Sequence, residues 1–161
     1  MSKAVLISIR PKWCEKIASG DKTVEVRKTR PTLETPFKCY IYRTKGTVPH
    51  IINDKWVQME VGGTVIGEFT CDEITRVNIS GFWDEGGRQL ENRIADTCLT
   101  PMALCEYAGE RVCYGWHISN LKIYDTPKEL DDFTGLRGTK FGSEPVAINR
   151  PPQNWCYVED L

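Results

Sequence analysis

The charged segment from Gly20 to Lys28 constrains the fold more than any other part of this 161-residue chain. Val24 and Val26 alternate with polar positions, which is the period-two pattern of a β-strand with one apolar face. The polar side chains around them are Lys22, Thr23, Glu25 and Arg27. The last three share a face, and the lysine stands at the entrance of the strand. So dense a cluster indicates either an edge strand whose charges discourage aggregation or a binding site.

The residues before this strand have the pattern of a short helix. A strand from Ala4 to Arg10 leads into Pro11, which suits a first helical turn because proline lacks the N–H that would be unpaired there. Trp13 and Ile17 lie four residues apart, so they face the same way, and we expect both to anchor the helix in the core. Gly20 then ends the helix.

The rest of the chain alternates strand patterns with irregular segments. Further strands are predicted over Phe37–Arg43, Thr64–Val77, Val112–Asp125 and Trp155–Val158. Helical patterns cover Arg88–Ala95 and Thr100–Gly109, the second with a threonine cap and a terminal glycine. Residues 44–63 are irregular and are predicted to be a loop with at most one turn of helix, and residues 134–153, which are rich in Gly and Pro, are predicted to be a basic loop.

The helix and the charged strand together resemble the signature of the ASCH domain, a family of PUA-like β-barrels. The matching residues are Pro11, Trp13, Ile17, Gly20, Lys22, Thr23, Glu25 and Arg27. Segments that begin at Val65, Tyr114 and Pro151 resemble the later strands of small stand-alone bacterial and phage ASCH proteins. The resemblance implies an α+β fold: one ASCH domain over residues 1–161, built as a PUA-like mixed β-barrel with short flanking helices. It also implies a positively lined cleft that holds RNA or a nucleotide.

The charge distribution is compatible with such a cleft. Residues 1–50 contain eleven Lys or Arg and four Asp or Glu, whereas the remaining residues contain ten basic and 18 acidic side chains. If the basic half folds onto one face, it forms a local positive field suited to phosphates. The alternative is that the two halves neutralise each other across the fold.

The cysteines and the apolar segments limit the function classes. The seven cysteines have no C-x-x-C spacing, which argues against a zinc site, and we expect no cofactor. No apolar run approaches the roughly 20 residues of a membrane span, and Ala4–Ile7 is too short for a signal peptide. We therefore expect a cytoplasmic protein with free thiols and no membrane or metal partner.

The charged strand suits recognition of RNA or a nucleotide-like molecule. In this interpretation Lys22, Arg27 and Arg30 contact phosphate, Thr23 belongs to the same binding face, and Glu25 accepts hydrogen bonds from a base amino group. Trp116 and Trp155 would supply stacking faces. For Arg30, a solvated position in a loop is an equally good interpretation.

Hydrolysis is the alternative. In the branch of the ASCH family that deacetylates acetylcytidine, the pattern resembles Gly-x-Lys-Thr-x-Thr-x-Arg, with the second Thr as the nucleophile and a Glu from a later helix. Lys22 and Thr23 match this pattern, but Glu25 occupies the position of the nucleophile, where it would act as a general base on water. Glu106 is the candidate for the later Glu, although an exposed helical Glu is also ordinary. A protein-interaction module is the third possibility.

Overall fold

The structure is a computed structural model that describes residues 2–77, 94–109 and 112–161. The chain forms two compact units, each assembled from separate segments. The first unit comprises Met1–Glu15, Phe37–Phe69 and Leu121–Leu161, and the second comprises Lys16–Pro36 and Thr70–Asn120. The single domain expected from the sequence stays a prediction. Most of the helix predicted over Arg88–Ala95 lies outside the described residues.

Strands dominate the described residues. The strands are β1 (Lys3–Ile9), β2 (Val24–Arg27), β3 (Phe37–Arg43), β4 (Gly46–Ile52), β5 (Lys55–Val61), β6 (Thr64–Val77), β7 (Cys113–Lys128), β8 (Thr134–Thr139), β9 (Gly142–Ala147) and β10 (Trp155–Glu159). The helices are α1 (Pro11–Ala18) and α2 (Pro101–Ala108), with a 3₁₀ turn at Leu130–Asp132. This composition confirms the mixed α+β character that the sequence predicts.

β1 is the central strand of the first unit. It runs parallel to β3 and antiparallel to β10, which pairs with β8 and, through it, with β9. Residues 4–9 of β1 are all buried, as expected of a strand covered on both faces. A core of Leu6, Tyr40, Val65, Phe133 and Val158 packs against this sheet.

Two segments predicted to be loops are in fact β-hairpins. β4 and β5 pair throughout the 44–63 segment, and β8 pairs with β9 within 134–153. Asn53 and Asp54 connect β4 to β5 with φ angles of 50° and 60°. Left-handed residues of this kind form the tight turns whose twist matches that of paired strands. Pro49 lacks a backbone N–H and so makes a strand less expected from sequence, but a two-stranded hairpin accepts proline because both of its strands are edges.

The second unit contains β2 paired antiparallel with the first half of β7. Glu25 lies opposite Trp116, and Val26 lies opposite Gly115. A Cβ atom on Gly115 would lie 2.8 Å from the hydroxyl oxygen of Thr75 and 3.0 Å from a methyl group of Val24, so a larger residue here would force these side chains to move. A small core of Val26, Ile94, Leu104, Ala108 and Cys113 packs beneath this pair.

α1 is anchored differently from the prediction. Cys14 and Ile17 are buried, but Trp13 is only half-buried. The ammonium group of Lys12 lies 4.7 Å from the centroid of the indole. Trp13 therefore has one region in contact with the protein and another beside a surface cation, and Ile17 is the main apolar anchor.

The closed barrel implied by the resemblance is not found in either unit. Within the parts of the chain that the structure describes, β9 is the last strand of the first unit's sheet, and β2 is paired on one side, with β7. A closed barrel would need these strands to have partners on both sides. The mixture of many strands and two short helices in the described residues agrees with the expected α+β fold, whereas closure of a barrel is not confirmed.

Candidate functional site

β2 brings three charged side chains of the second unit together. The Glu25 carboxylate accepts hydrogen bonds through Oε1 from the Arg27 guanidinium, with Nε and Nη2 both at 3.0 Å. Its Oε2 lies 3.4 Å from Nζ of Lys22. One carboxylate is therefore shared by two cations, and the cluster has a net charge of +1 when all three groups are ionised.

Lys22 is buried to an unusual degree for a lysine. It is 3% exposed, and its Nζ donates a 2.6 Å hydrogen bond to the carbonyl oxygen of Thr97. Burial lowers the pKa of Lys22 below its usual 10.5, and the neighbouring Glu25 carboxylate offsets only part of this effect. Lys22 thus gives up a proton more readily than a lysine on the surface.

A turn after Ile94 places the carbonyl group that binds this ammonium. The hydroxyl of Thr97 donates a 2.6 Å hydrogen bond to the carbonyl of Ile94 within the turn. The carbonyl of Asp96 accepts hydrogen bonds from the N–H groups of Thr23 and Val24, at 2.9 and 3.0 Å. The turn therefore fixes the start of β2. Thr97 was not predicted as a site residue, because no pattern in the sequence around it indicates a partner 75 positions away.

An exposed aromatic ring and a further cation lie beside the cluster. Tyr107 on α2 is 40% exposed, and the Nζ atom of Lys28 lies 4.9 Å from the centroid of its ring. Burial raises the pKa of Tyr107, whereas the charge of Arg27 acts in the opposite direction, which places the phenol within electrostatic reach of the cluster. The lysine itself is exposed. Tyr107 was not predicted as a site residue, although it directly follows the candidate Glu106 in the sequence.

The remaining polar candidates of the second unit are exposed and dispersed. Thr23 and Arg30 are exposed, and Nε of Arg30 donates a long 3.4 Å hydrogen bond to the carbonyl of Pro31. Glu106 is exposed on α2, whose buried side is formed by Leu104 and Ala108. None of the described ion pairs of the cluster includes these three side chains, and their predicted roles stay predictions.

Neither tryptophan candidate presents a free stacking face at this cluster. Trp116 is completely buried, so the proposed stacking of a base on it is incompatible with the structure. Trp155 belongs to the first unit, is half-buried, and contacts the ring of Tyr157 edge-on at 5.3 Å. Among the described residues of the second unit, Tyr107 has an exposed aromatic ring next to a cation.

Glu25 has little freedom for base recognition. Both of its oxygens face cations, and the residue is only 6% exposed. A base amino group needs an accessible acceptor, so the geometry favours a counterion role in which Glu25 holds Lys22 and Arg27 in place. Covalent chemistry from this position is disfavoured for the same reason.

The described residues contain neither a metal-binding cluster nor a membrane-spanning helix. No group of three or more His, Cys, Asp or Glu side chains within residues 2–77, 94–109 and 112–161 could hold a metal ion. In the same ranges, neither helix has the length and apolar character needed to cross a membrane.

Comparisons with known proteins define the fold. No family model matches the chain, and no curated protein matches it. The crystal structure of ASCH from Zymomonas mobilis is 18% identical, with a TM-score of 0.57 over 97% of this chain and 87% of that one. A serine-to-alanine mutant of the same protein gives 17% identity and a TM-score of 0.58, covering 97% and 88% of the two chains. A tyrosine-to-phenylalanine mutant gives 18% and 0.55, covering 97% and 90%. This chain therefore has the fold of these ASCH structures, as its charged-strand motif predicted.

Proposed function

We propose that this protein binds RNA or a nucleotide-like anion at a second-unit site formed by Arg27, Lys28 and Tyr107 above the buried Lys22–Glu25 pair. The observation that carries the proposal is the sharing of one buried carboxylate by two cations. Lys22 and Arg27 thus place two positive charges around a single carboxylate.

The burial of these two cations strengthens their attraction for an anion. Two unit charges 4 Å apart interact by about 1 kcal/mol in water but by about 4 kcal/mol at the effective dielectric constant near a protein surface. The Arg27 side chain is 11% exposed, so the edge of the cluster reaches the surface while most of it is shielded from solvent. A phosphate at this edge would meet a guanidinium that already has a fixed orientation.

The neighbouring ring favours a nucleic acid over a simple phosphate. Tyr107 offers a partly exposed face, and Lys28 lies over the same ring. Single-stranded RNA is commonly held by cations that follow its backbone and by aromatic rings on which its bases stack. The combination of Arg27, Lys28 and Tyr107 provides both elements.

Fluorescence anisotropy with a short single-stranded RNA at several salt concentrations tests the proposal. Lys28→Gln should lower the slope of log affinity against log salt by about one unit, because one phosphate contact is lost. Tyr107→Ala should weaken binding by about 1–3 kcal/mol with little effect on the slope. Lys140→Gln, an exposed lysine of the first unit, is the matched control. Equal affinities and slopes in all four proteins would refute the proposal.

A second candidate function, hydrolysis, is supported by the lowered pKa of Lys22. A lysine that releases its proton readily can serve as a general base toward water. The exposed Thr23 and the restrained Glu25 offer no comparable support for a covalent route. If hydrolysis occurs, Lys22→Met should reduce turnover of acetylcytidine or RNA by about 100-fold or more, a loss larger than the affinity lost with the lysine charge. Absence of turnover by the parent protein would exclude this candidate.

A further inference from the structure

We propose that the first unit contains a separate binding site for a small anion with a planar aromatic body, such as a nucleoside monophosphate. The site is a cavity of about 500 Å³. It lies between the β8–β9 hairpin and the segment that leads into β10, with Gly135 and Val146 on one side and Pro152 on the other. This is the region that sequence analysis treated as a basic, glycine-rich loop.

The size and the walls of the cavity suit a small molecule. Pockets for such ligands usually measure roughly 300–1,000 Å³ and combine apolar walls with a few polar groups. Leu136, Val146, Ile148, Pro151 and Cys156 form much of the apolar lining. Burial raises the pKa of the Cys156 thiol to about 11, so this side chain is an uncharged, apolar part of the wall at neutral pH.

The polar part of the lining favours an anion. Among the described residues that line the cavity, Arg150 is the one with a formal charge, and none is a carboxylate. Arg150 is exposed, so its guanidinium has freedom to form the paired hydrogen bonds that this group makes with phosphates and carboxylates. Asn149 and Gln153 add amide groups that can donate further hydrogen bonds.

One wall of the cavity is fixed by a buried serine. Ser8, 7% exposed on β1, donates from Oγ to the carbonyl of Pro152 at 2.6 Å. Its N–H donates to the carbonyl of Asn154 at 3.0 Å. The segment before β10 is thus attached to the central strand at two points, which reduces the ordering that a ligand would otherwise have to impose.

An aromatic ring completes the site. Tyr157 lines the cavity and is half-buried. Its ring is held edge-on against Trp155 at 5.3 Å, and Nζ of Lys3 lies 5.7 Å from its centroid. A planar ring in the cavity would meet an aromatic surface whose orientation is already set, and a second cation lies nearby for an anionic group.

The described lining residues of this cavity all belong to the first unit, whereas the proposed RNA site lies in the second. The two proposals therefore stand or fall separately. A ligand of the cavity should respond to changes at Arg150 and should be indifferent to changes at Lys28.

Isothermal titration calorimetry with the four common nucleoside monophosphates tests the cavity, with the matching nucleosides as ligands that lack the anion. We expect one or more monophosphates to bind, and Arg150→Gln to weaken that binding by about tenfold or more, because a charge-assisted hydrogen bond is lost. Lys140→Gln, an exposed cation of the β8–β9 turn outside the lining, should leave the affinity unchanged. The nucleosides should bind more weakly than their monophosphates.

Three outcomes would overturn the inference. The first is no binding of any monophosphate up to about 10 mM, a concentration at which even weak specific sites are occupied. The second is equal affinity of the parent protein and Arg150→Gln. The third is binding that is lost in Lys28→Gln and retained in Arg150→Gln, which would assign the ligand to the second unit.

Discussion

The Nζ atom of Lys22 donates a 2.6 Å hydrogen bond to the carbonyl oxygen of Thr97, a residue 75 positions further along the chain. This contact joins the entrance of β2 to the turn that precedes α2. The charged strand is therefore part of a buried polar network in the second unit, in which a carbonyl group and the carboxylate of Glu25 hold the lysine. The behaviour of the cluster should reflect this burial.

Glu25→Gln should destabilise the protein strongly. The change leaves Lys22 and Arg27 largely buried without their shared counterion, and removal of one partner from a buried ion pair typically costs about 3–5 kcal/mol. Urea denaturation measures the effect. Glu106→Gln, at an exposed helical position, is the control and should change stability by no more than about 0.5 kcal/mol. Similar stabilities of the two variants would mean that Glu25 is not a buried counterion.

The stability contribution of Lys22 should depend on pH. Because the folded protein has a lowered pKa at Lys22, the unfolded chain binds more protons between that pKa and 10.5. Stability from this group therefore rises as pH increases through this window, as the folded lysine becomes neutral. The difference in unfolding free energy between the parent and Lys22→Met should shift in favour of the parent on going from about pH 7 to about pH 10. A difference that stays constant up to 10.5 would contradict a lowered pKa.

Ile17→Ala should cost more stability than Trp13→Ala. Ile17 is buried, and truncation of such a side chain to alanine usually costs about 2–5 kcal/mol. Trp13 is half-buried, so part of its surface already contacts solvent and its truncation forfeits less burial than its size suggests. Thermal unfolding of both variants ranks them. The reverse order would show that the indole is the main anchor of α1.

Thiol reactivity should divide the seven cysteines into classes. All seven are free in the structure, and Cys98, Cys105 and Cys156 are half-buried while the others are buried. Burial also raises the pKa of Cys156 to about 11, which reduces its thiolate fraction. Titration of the native protein with a chromogenic disulfide should therefore show two faster thiols, and unfolding without reductant should expose all seven. Fewer than seven reactive thiols after unfolding would reveal a disulfide bond.

The pattern of β2 was sufficient to predict which of its charged side chains meet. It was not sufficient to predict that these side chains are buried. Strand alternation places Glu25 and Arg27 on one face, and the short distance along the chain brings Lys22 within reach of both. Their burial depends on the turn at Thr97 and on the pairing with β7. These contacts connect residues far apart in sequence, and no local pattern encodes them.

The aromatic residues illustrate the same limit. Trp116 lies opposite Glu25 in the register of β2 and β7, but only the packing of the second unit shows that its ring is inaccessible. Tyr107 was not predicted from the sequence, because the pattern of a short helix does not show that the ammonium group of Lys28 lies over this ring. The motif therefore predicted the ASCH fold, although closure of the barrel is not confirmed, and the exposure of the site residues became visible only in the structure.

Cross-linking of a thiouridine-containing single-stranded RNA, mapped by mass spectrometry, tests the central claim most directly. The account predicts cross-links on Lys28, on Tyr107 or on the adjoining residues of α2. A high salt concentration should weaken RNA binding and remove these cross-links with it. Cross-links confined to the first unit, or none at RNA concentrations that saturate binding, would contradict the proposed site at Arg27, Lys28 and Tyr107.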